Sequence, residues 1–238
     1  MKDKIEKYGS VIMLYNRMSL YRVLLILVGM GIVQTILFYR TISRTKGEVF
    51  YGDVAAQSGM KNVCIVAFLL LIFAFCTMGL SSRGKSVYTF WRLRISDWEL
   101  FWCRVVLNLL YCFLFWVCQV GLGYALGIYF NYRKGISSPQ SVLLAFYENG
   151  FLHRMFPMED YVILLWDVVL ILGVCISSGA FSFYRVRGKF HYPIVIAGLL
   201  LLLELGHIFS VLIATVLLGI MYYFTLRSIW IRGDMREI

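Results

Sequence analysis

Charged residues are scarce in this chain, and their scarcity excludes an ordinary soluble domain. Only 15% of its 238 residues are charged and 61% are hydrophobic, whereas soluble domains carry about 25% charged residues. A soluble fold of this length could not remove so much apolar surface from water. The composition therefore predicts that lipid covers much of the protein.

Prolines are also few, and the cysteines form no paired motif. Three prolines in the whole sequence favour long uninterrupted helices. No segment shows the alternation over about ten residues that a membrane barrel requires. The cysteines lie within or beside apolar runs and lack a CxxC spacing, so we interpret them as buried thiols rather than disulfides or metal ligands. They are Cys64, Cys76, Cys103, Cys112, Cys118 and Cys175.

The sequence has no recognisable catalytic motif. It contains no GxSxG, no HExxH and no pair of carboxylates within one apolar run, and Ser177 and Ser178 have no basic residue or histidine nearby in sequence. Glu204 and His207 have the spacing of half a Glu-x-x-His metal motif. Only one copy exists, and Gly206 weakens a helix there, so a solvated turn is favoured. We expect no catalytic site, no metal site and no cofactor on this chain.

The apolar runs predict an all-α membrane protein with a single transmembrane domain, residues 1–238. A span needs about 20 residues to cross hydrocarbon about 30 Å thick. The last run, 192–226, would make a helix about 52 Å long, and the turn at Glu204–His207 divides it. The six predicted spans are approximately 23–39, 63–80, 100–130, 161–181, 190–205 and 208–226.

Basic residues decide between six spans and five. They lie between the apolar runs, as topology signals do, rather than in one patch suited to nucleic acid. Six spans leave 16 Lys and Arg on the side of both termini and 7 on the other, whereas five spans give 13 and 10. Because basic loops stay in the cytosol, we expect six spans with both termini cytosolic. The first run ends at Phe38–Thr41 without a small-residue cleavage site, so no removable signal peptide is expected.

Two shorter helices are predicted outside the spans. Apolar residues recur at helical spacing from Ile5 to Met18, which is typical of an amphipathic helix in the inner membrane interface. In the loop after span three, Ser138-Pro139 resembles a helix start and Asn149-Gly150 a helix stop. We therefore expect a short outer helix between these two signals.

Residues 79–86 match the phosphate-binding loop GxxxxGK[ST]; they read Gly79-Leu80-Ser81-Ser82-Arg83-Gly84-Lys85-Ser86. Such a loop works only between a buried strand and a helix of an α/β domain. Here the preceding run has the length of a membrane span, and no segment leaves room for a nucleotide-binding domain. The match is interpreted as a basic, flexible exit from span two, and ATP binding there is not expected.

The loop Arg83–Arg104 combines a short predicted helix with the start of span three. Apolar residues recur at helical spacing from Val87 to Ile95, with basic residues among them. Ser96-Asp97-Trp98-Glu99 then forms a capping box, which begins the helix of span three. Aromatic side chains at the start of that helix suit the headgroup region.

This loop resembles that of the permease subunits of type-2 ABC transporters. The match lies in residues 84–96, where such permeases often have a YT-x-x-R-L turn after span two. It extends loosely to the interfacial N-terminal helix, the six spans, the cytosolic termini and the outer helix at 143–147. The compact final pair of spans departs from the family, which often has outer helical elements there.

The resemblance implies a cytosolic coupling helix that sits in a groove of a separate ATPase subunit. Its contact residues would be Tyr88, Thr89, Trp91, Arg92 and Leu93. ATP and Mg²⁺ would then be bound by the partner, and a second copy or a related permease would complete a dimer in the cell membrane, of the bacterial cytoplasmic type. The alternative is that the loop is only a basic topology determinant with interfacial tryptophans.

Polar residues within the spans have two interpretations. Asp167 in span four is an ionisable group in hydrocarbon, which marks it as a functional candidate. Asp167 and Gln119 would line a substrate path, or they would form hydrogen bonds between helices, as is also expected of Gln34. Gly123 and Gly127 form a GxxxG spacing, which indicates a close-packing face that could also serve a subunit interface.

The leading functional hypothesis is the permease subunit of an ABC exporter. An ion-coupled secondary transporter is the main alternative, but it usually has several ionisable groups near mid-membrane and an internal repeat. A non-catalytic membrane subunit of another complex is the third possibility.

Overall fold

The computed structural model describes residues 2–45, 50–77, 97–135, 140–155 and 161–185, together with six positions between 216 and 227. All regular secondary structure in these residues is α-helix. The helices are α1 (Lys2–Arg44), α2 (Tyr51–Gln57), α3 (Met60–Thr77), α4 (Asp97–Lys134), α5 (Gln140–Glu148), α6 (Gly150–Met155) and α7 (Tyr161–Arg185). The predicted all-α class is confirmed for the described part of the chain.

Three of these helices are long and apolar enough to cross a membrane. They are Tyr8–Arg44 within α1, the whole of α3 and Trp98–Lys134 within α4. Helix α7 contains a shorter apolar stretch, Asp167–Phe181. Because a helix satisfies its own backbone hydrogen bonds, it is suited to hydrocarbon. The chain is therefore a membrane protein, and its first four predicted spans overlap α1, α3, α4 and α7.

Several predictions fall on residues outside the described ranges. They concern the loop 78–96, with its phosphate-loop match and coupling helix, the span 190–205, most of the span 208–226 and the turn at Glu204–His207. The number of six spans and the cytosolic position of both termini stay predictions.

The N-terminal amphipathic segment and the first predicted span form one helix, and the interfacial position of that segment stays a prediction. Helix α1 runs unbroken from Lys2 to Arg44 and contains no proline. Val11 is buried, and Tyr8 and Tyr15 both contact α4. Part of the predicted face therefore packs on protein, whereas Met18 at its end is exposed, and sequence periodicity alone does not distinguish packing on protein from packing on lipid.

Contacts divide the chain into two compact units. The first unit consists of Met1–Arg22, Leu71–Tyr111 and Val168–Ile238, and the second consists of Val23–Leu70 and Cys112–Asp167. The first unit contains the polar contacts described in the next subsection. The second contains the short helices α2, α5 and α6.

In the second unit, the three short helices pack against α1 and α4. The Tyr51 ring of α2 lies between Phe38 and Phe130, with ring centroids 5.7 and 5.9 Å away. Its hydroxyl donates a hydrogen bond to the carbonyl of Gly123. Burial raises the pKa of that hydroxyl, so it stays protonated and remains a donor. The buried core around it comprises Phe38, Ile42, Tyr51, Val54, Ala55, Met60, Leu126, Phe130, Ala145 and Leu152.

The GxxxG spacing of α4 is a close-packing face, as predicted. A Cβ atom at Gly127 would lie 2.6 Å from Cγ1 of Val142 and 3.2 Å from Cε1 of Tyr51. A Cβ atom at Gly123 would lie 3.4 Å from the ring of Phe146. The two glycines thus admit α2 and α5 of the same chain.

Helices α1 and α4 run in the same direction. In the first unit, Tyr8 of α1 contacts Glu99 of α4, and Ser19, later on α1, contacts Tyr111, later on α4. The chain must return between two parallel helices, and α3 is the apolar helix between them in sequence. Its length of about 27 Å is close to the thickness of membrane hydrocarbon. This order is the one that successive membrane crossings require.

Candidate functional site: the polar contacts of α4

Polar side chains of the first unit converge on the N-terminal part of α4. Arg104, Asn108 and Tyr111 are spaced four and three residues apart, which places them on one face of the helix. All three are buried. Polar groups buried in an apolar helix bundle need partners, and each of these residues has its partner on another helix.

Arg104 joins α4 to α3 and α1. Its side chain is 7% exposed, and its Nη2 donates a hydrogen bond of 3.1 Å to the backbone carbonyl of Phe75. Its guanidinium carbon lies 5.7 Å from the centre of the Tyr15 ring, a cation–π distance. A charge in this position is costly unless it is paired, so these contacts favour one placement of α4 against α3 and α1.

Arg104 is counted from the sequence with the basic residues of the loop Arg83–Arg104, and in the structure it is buried within α4. Helix α4 begins at Asp97, as the capping box predicts, which places Arg104 about two turns inside it. The sequence does show that Arg104 shares a helical face with Asn108 and Tyr111 among apolar neighbours, but it does not show the partners of Arg104.

Tyr111 also joins α4 to α1 and α3. Its hydroxyl donates a hydrogen bond of 2.7 Å to Oδ1 of Asn16 and lies 2.6 Å from Oγ of Ser19. Its ring stacks on that of Phe75, with centroids 6.2 Å apart. Two neighbouring helices therefore meet at one side chain.

Asn108 joins α4 to α7. Its Nδ2 donates a hydrogen bond of 3.0 Å to Oγ of Ser178, whose hydroxyl donates to the carbonyl of Cys175. At Gly179, a Cβ atom would lie only 3.2 Å from Cγ2 of Val105, so the two helices approach closely. The contact gives Ser178 a structural role.

The first turn of α4 is attached to α1. The hydroxyl of Tyr8 donates a hydrogen bond of 2.7 Å to Oε1 of Glu99. Glu99 is the acidic member of the predicted capping box, and a carboxylate is favourable at the N-terminus of a helix. The serine of that box, Ser96, lies outside the described residues.

The residues predicted from sequence as functional are not brought together here. The five coupling-contact residues lie in the loop 78–96, outside the described ranges. Gln119 is 2% exposed on α4, and within the described part neither Nε2 nor Oε1 has a hydrogen-bond partner. Asp167 is half-buried on α7. Gln34 does link two helices, because its Nε2 donates to the carbonyl of Met60 at 3.2 Å.

The chemistry that this arrangement supports is hydrogen bonding between helices. Among the described residues, no group of three or more His, Cys, Asp or Glu side chains could hold a metal ion. The consequence is mechanical: α4 is attached to α1, α3 and α7 just after the loop that precedes it. Comparisons with protein-family models, with curated proteins and with solved structures found no match to this chain.

Proposed function

We propose that this chain is the permease subunit of an ABC exporter, driven by a separate ATP-binding subunit. A second copy of the chain or a related permease would complete the transporter. The resemblance of residues 84–96 to type-2 permeases supports the family. The polar contacts of α4 support the mechanism.

The observation that carries the proposal is the attachment of α4 immediately after the loop. The loop 78–96, which would meet the ATPase, leads directly into Asp97. Beyond it, α4 is hydrogen-bonded to α1 through Glu99, to α3 through Arg104 and to α7 through Asn108. Because hydrogen bonds are short and directional, a tilt imposed on α4 by the loop would be passed to three other helices.

The partner, and not this chain, would bind ATP and Mg²⁺. The contact would be formed by Tyr88, Thr89, Trp91, Arg92 and Leu93, as in the family that the loop resembles. In this view the phosphate-loop match at 79–86 is the beginning of the coupling segment.

Gln119 and Asp167 are the proposed lining of the substrate path. A buried amide without a partner is costly in an apolar bundle, which is the property expected of a group that binds a passing polar substrate. Asp167 would add a charge to the same path.

The proposal is tested by purifying the tagged full-length chain from membranes of its native host in mild detergent. We expect an ATP-binding subunit to co-purify and the complex to hydrolyse ATP. The double variant Arg92→Glu/Leu93→Asp should lose both the subunit and the hydrolysis. Its matched control, Arg44→Glu/Leu143→Asp, changes the same residue types at exposed positions on α1 and α5 and should retain both.

Two results would count against the proposal. One is ATP hydrolysis by the chain without any partner, and the other is equal retention of the ATPase by both double variants. A proton current in proteoliposomes of the chain alone, driven by a pH gradient, would favour the ion-coupled alternative instead.

A further inference from the structure

An apolar groove runs between α1 and α4 in the second unit. It consists of two cavities of about 530 and 380 Å³, which share Thr35, Ile36 and Leu122. Together they follow α1 from Val28 to Tyr39. That stretch is about 16 Å long, and one leaflet of hydrocarbon is about 15 Å deep. The groove is therefore as long as a single acyl layer.

Apart from Thr35, Tyr39 and Tyr129, the described residues that line the groove are apolar. The hydroxyl of Thr35 is already used within α1, where its Oγ1 donates a hydrogen bond of 2.7 Å to the carbonyl of Gly31. Ile36 and Val28 are exposed, whereas Phe38 and Leu126 are buried beneath them. Such walls suit a hydrocarbon chain.

One end of the groove is polar and positively charged. The guanidinium carbon of Arg133 lies 5.2 Å from the centre of the Tyr39 ring, and its Nη1 donates to the hydroxyl of Tyr129 at 3.4 Å. Arg133 is exposed and follows Tyr129 by one turn of α4. Arg40, also exposed, follows Ile36 by one turn of α1. Tyrosines are typical of the headgroup level of a membrane.

We propose that this groove binds an anionic phospholipid, with one acyl chain between α1 and α4 and the phosphate at Arg133. A guanidinium binds phosphate with paired, charge-assisted hydrogen bonds. The apolar length and the cation at its end match the two parts of such a lipid. A second copy of the chain fits less well, because it would bring a second set of arginines towards the first.

The predicted topology also supports an anionic ligand at this end of the groove. Four of the seven basic residues expected outside the membrane lie at the ends of α1 and α4: Arg40, Arg44, Arg133 and Lys134. Basic residues in the outer loops are unfavourable under the positive-inside rule, which favours cytosolic loops for Lys and Arg. An anionic ligand bound at Arg133 in the outer leaflet would stabilise that charge there.

Native mass spectrometry of the full-length chain in detergent tests the proposal. Phosphatidylglycerol and phosphatidylcholine with the same acyl chains are added separately, and the retained lipid is counted. The wild type should retain more phosphatidylglycerol. Arg133→Gln should weaken that retention about fivefold, the effect expected for one cation near an anionic surface, and should affect phosphatidylcholine less, because the choline cation offsets the charge of its phosphate.

Two further variants separate the headgroup contact from the groove. Arg44→Gln removes the same charge about 140° around α1 from Tyr39 and should behave as the wild type. Ala125→Trp fills the groove and should reduce retention of both lipids. If thermal unfolding shows that Ala125→Trp is not folded, Ala125→Leu, a smaller change, is used in its place.

Four outcomes would overturn the proposal. Equal retention of the two lipids by the wild type would show unselective surface lipid. An equal loss with Arg44→Gln would show a diffuse charge effect. Displacement of phosphatidylglycerol by inorganic phosphate would show an anion site without a lipid groove. A change in the monomer–dimer ratio with Ala125→Trp, at unchanged lipid retention, would show that a second copy fills the groove.

Discussion

The side-chain amide of Asn149 contacts two helices, α2 and α6. It is buried, and its Nδ2 donates to the carbonyl of Gly52 on α2. Its Oδ1 accepts hydrogen bonds from the backbone N–H groups of Phe151 and Leu152, at 3.0 and 3.3 Å. The residue was predicted to end a helix, which it does, since α5 ends at Glu148. It also begins the next helix, as an N-cap.

We predict that Asn149→Ala destabilises the protein by about 2 kcal/mol, because it removes a helix cap and the buried hydrogen bond to the Gly52 carbonyl. Asn149→Ser keeps an acceptor for the cap but is too short for the contact with Gly52, so its effect should be about half as large. Thermal unfolding gives the order of the two variants. Hydrogen exchange at Phe151 and Leu152 should accelerate in the alanine variant alone, and equal acceleration in both would refute the role as a cap.

Arg104 shows what the sequence could not decide at the scale of a residue. Its charge contributes to topology in a sequence count, but its burial depends on the Phe75 carbonyl and the Tyr15 ring. Both are distant in sequence, and neither belongs to a motif. A backbone carbonyl and an aromatic ring carry no formal charge, so an arginine that pairs with them produces no pattern of opposite charges in the sequence.

At the scale of elements, the approach of α5 to α4 depends on Gly127. An alanine there would place a methyl group 2.6 Å from Val142. We predict that Gly127→Ala costs about 1–3 kcal/mol, the range for overpacking a close contact. Gly121→Ala on the same helix has no atom within 4 Å of the new methyl group and should not destabilise the protein.

Thermal unfolding in detergent measures the difference between the two glycine variants. The double variant Gly127→Ala/Val142→Ala should recover part of the loss, since it removes the nearest methyl groups, while the contact with Tyr51 remains. Equal effects of Gly121→Ala and Gly127→Ala would mean that the loss comes from the helix backbone and not from packing.

The elements divide into those that local sequence specifies and those that packing specifies. Apolar length predicted the positions of α1, α3, α4 and α7, and cap residues predicted α5. The short helices α2 and α6 were not predicted, because their residues carry no long periodic run. Their stability comes from contacts such as Tyr51 with Phe38 and Phe130. The continuity of α1 was missed because an amphipathic face has the same spacing on lipid and on protein.

At the scale of the whole molecule, the parallel course of α1 and α4 is compatible with successive membrane crossings. Contacts between helices do not assign a side of the membrane, and that assignment still depends on the count of basic residues. If the buried Arg104 is left out of the count, the expected cytosolic segments still carry 15 Lys and Arg against 7. The predicted sidedness also decides the leaflet of the proposed lipid site.

Cysteine labelling tests this topology in intact cells. The six native cysteines are free, and a variant lacking them serves as the unlabelled control. Single cysteines are introduced at Lys2, Asp53 and Glu237, of which Asp53 is exposed on α2. A membrane-impermeant maleimide should label Asp53→Cys from outside, and Lys2→Cys and Glu237→Cys only after permeabilisation, because a charged reagent does not cross hydrocarbon. With five spans, the reagent would label Glu237→Cys from outside as well as Asp53→Cys, but not Lys2→Cys. With an inverted topology of six spans, it would label Lys2→Cys and Glu237→Cys from outside, and Asp53→Cys only after permeabilisation. That last pattern would place Arg133 in the inner leaflet and the polar contacts of α4 away from any cytosolic ATPase.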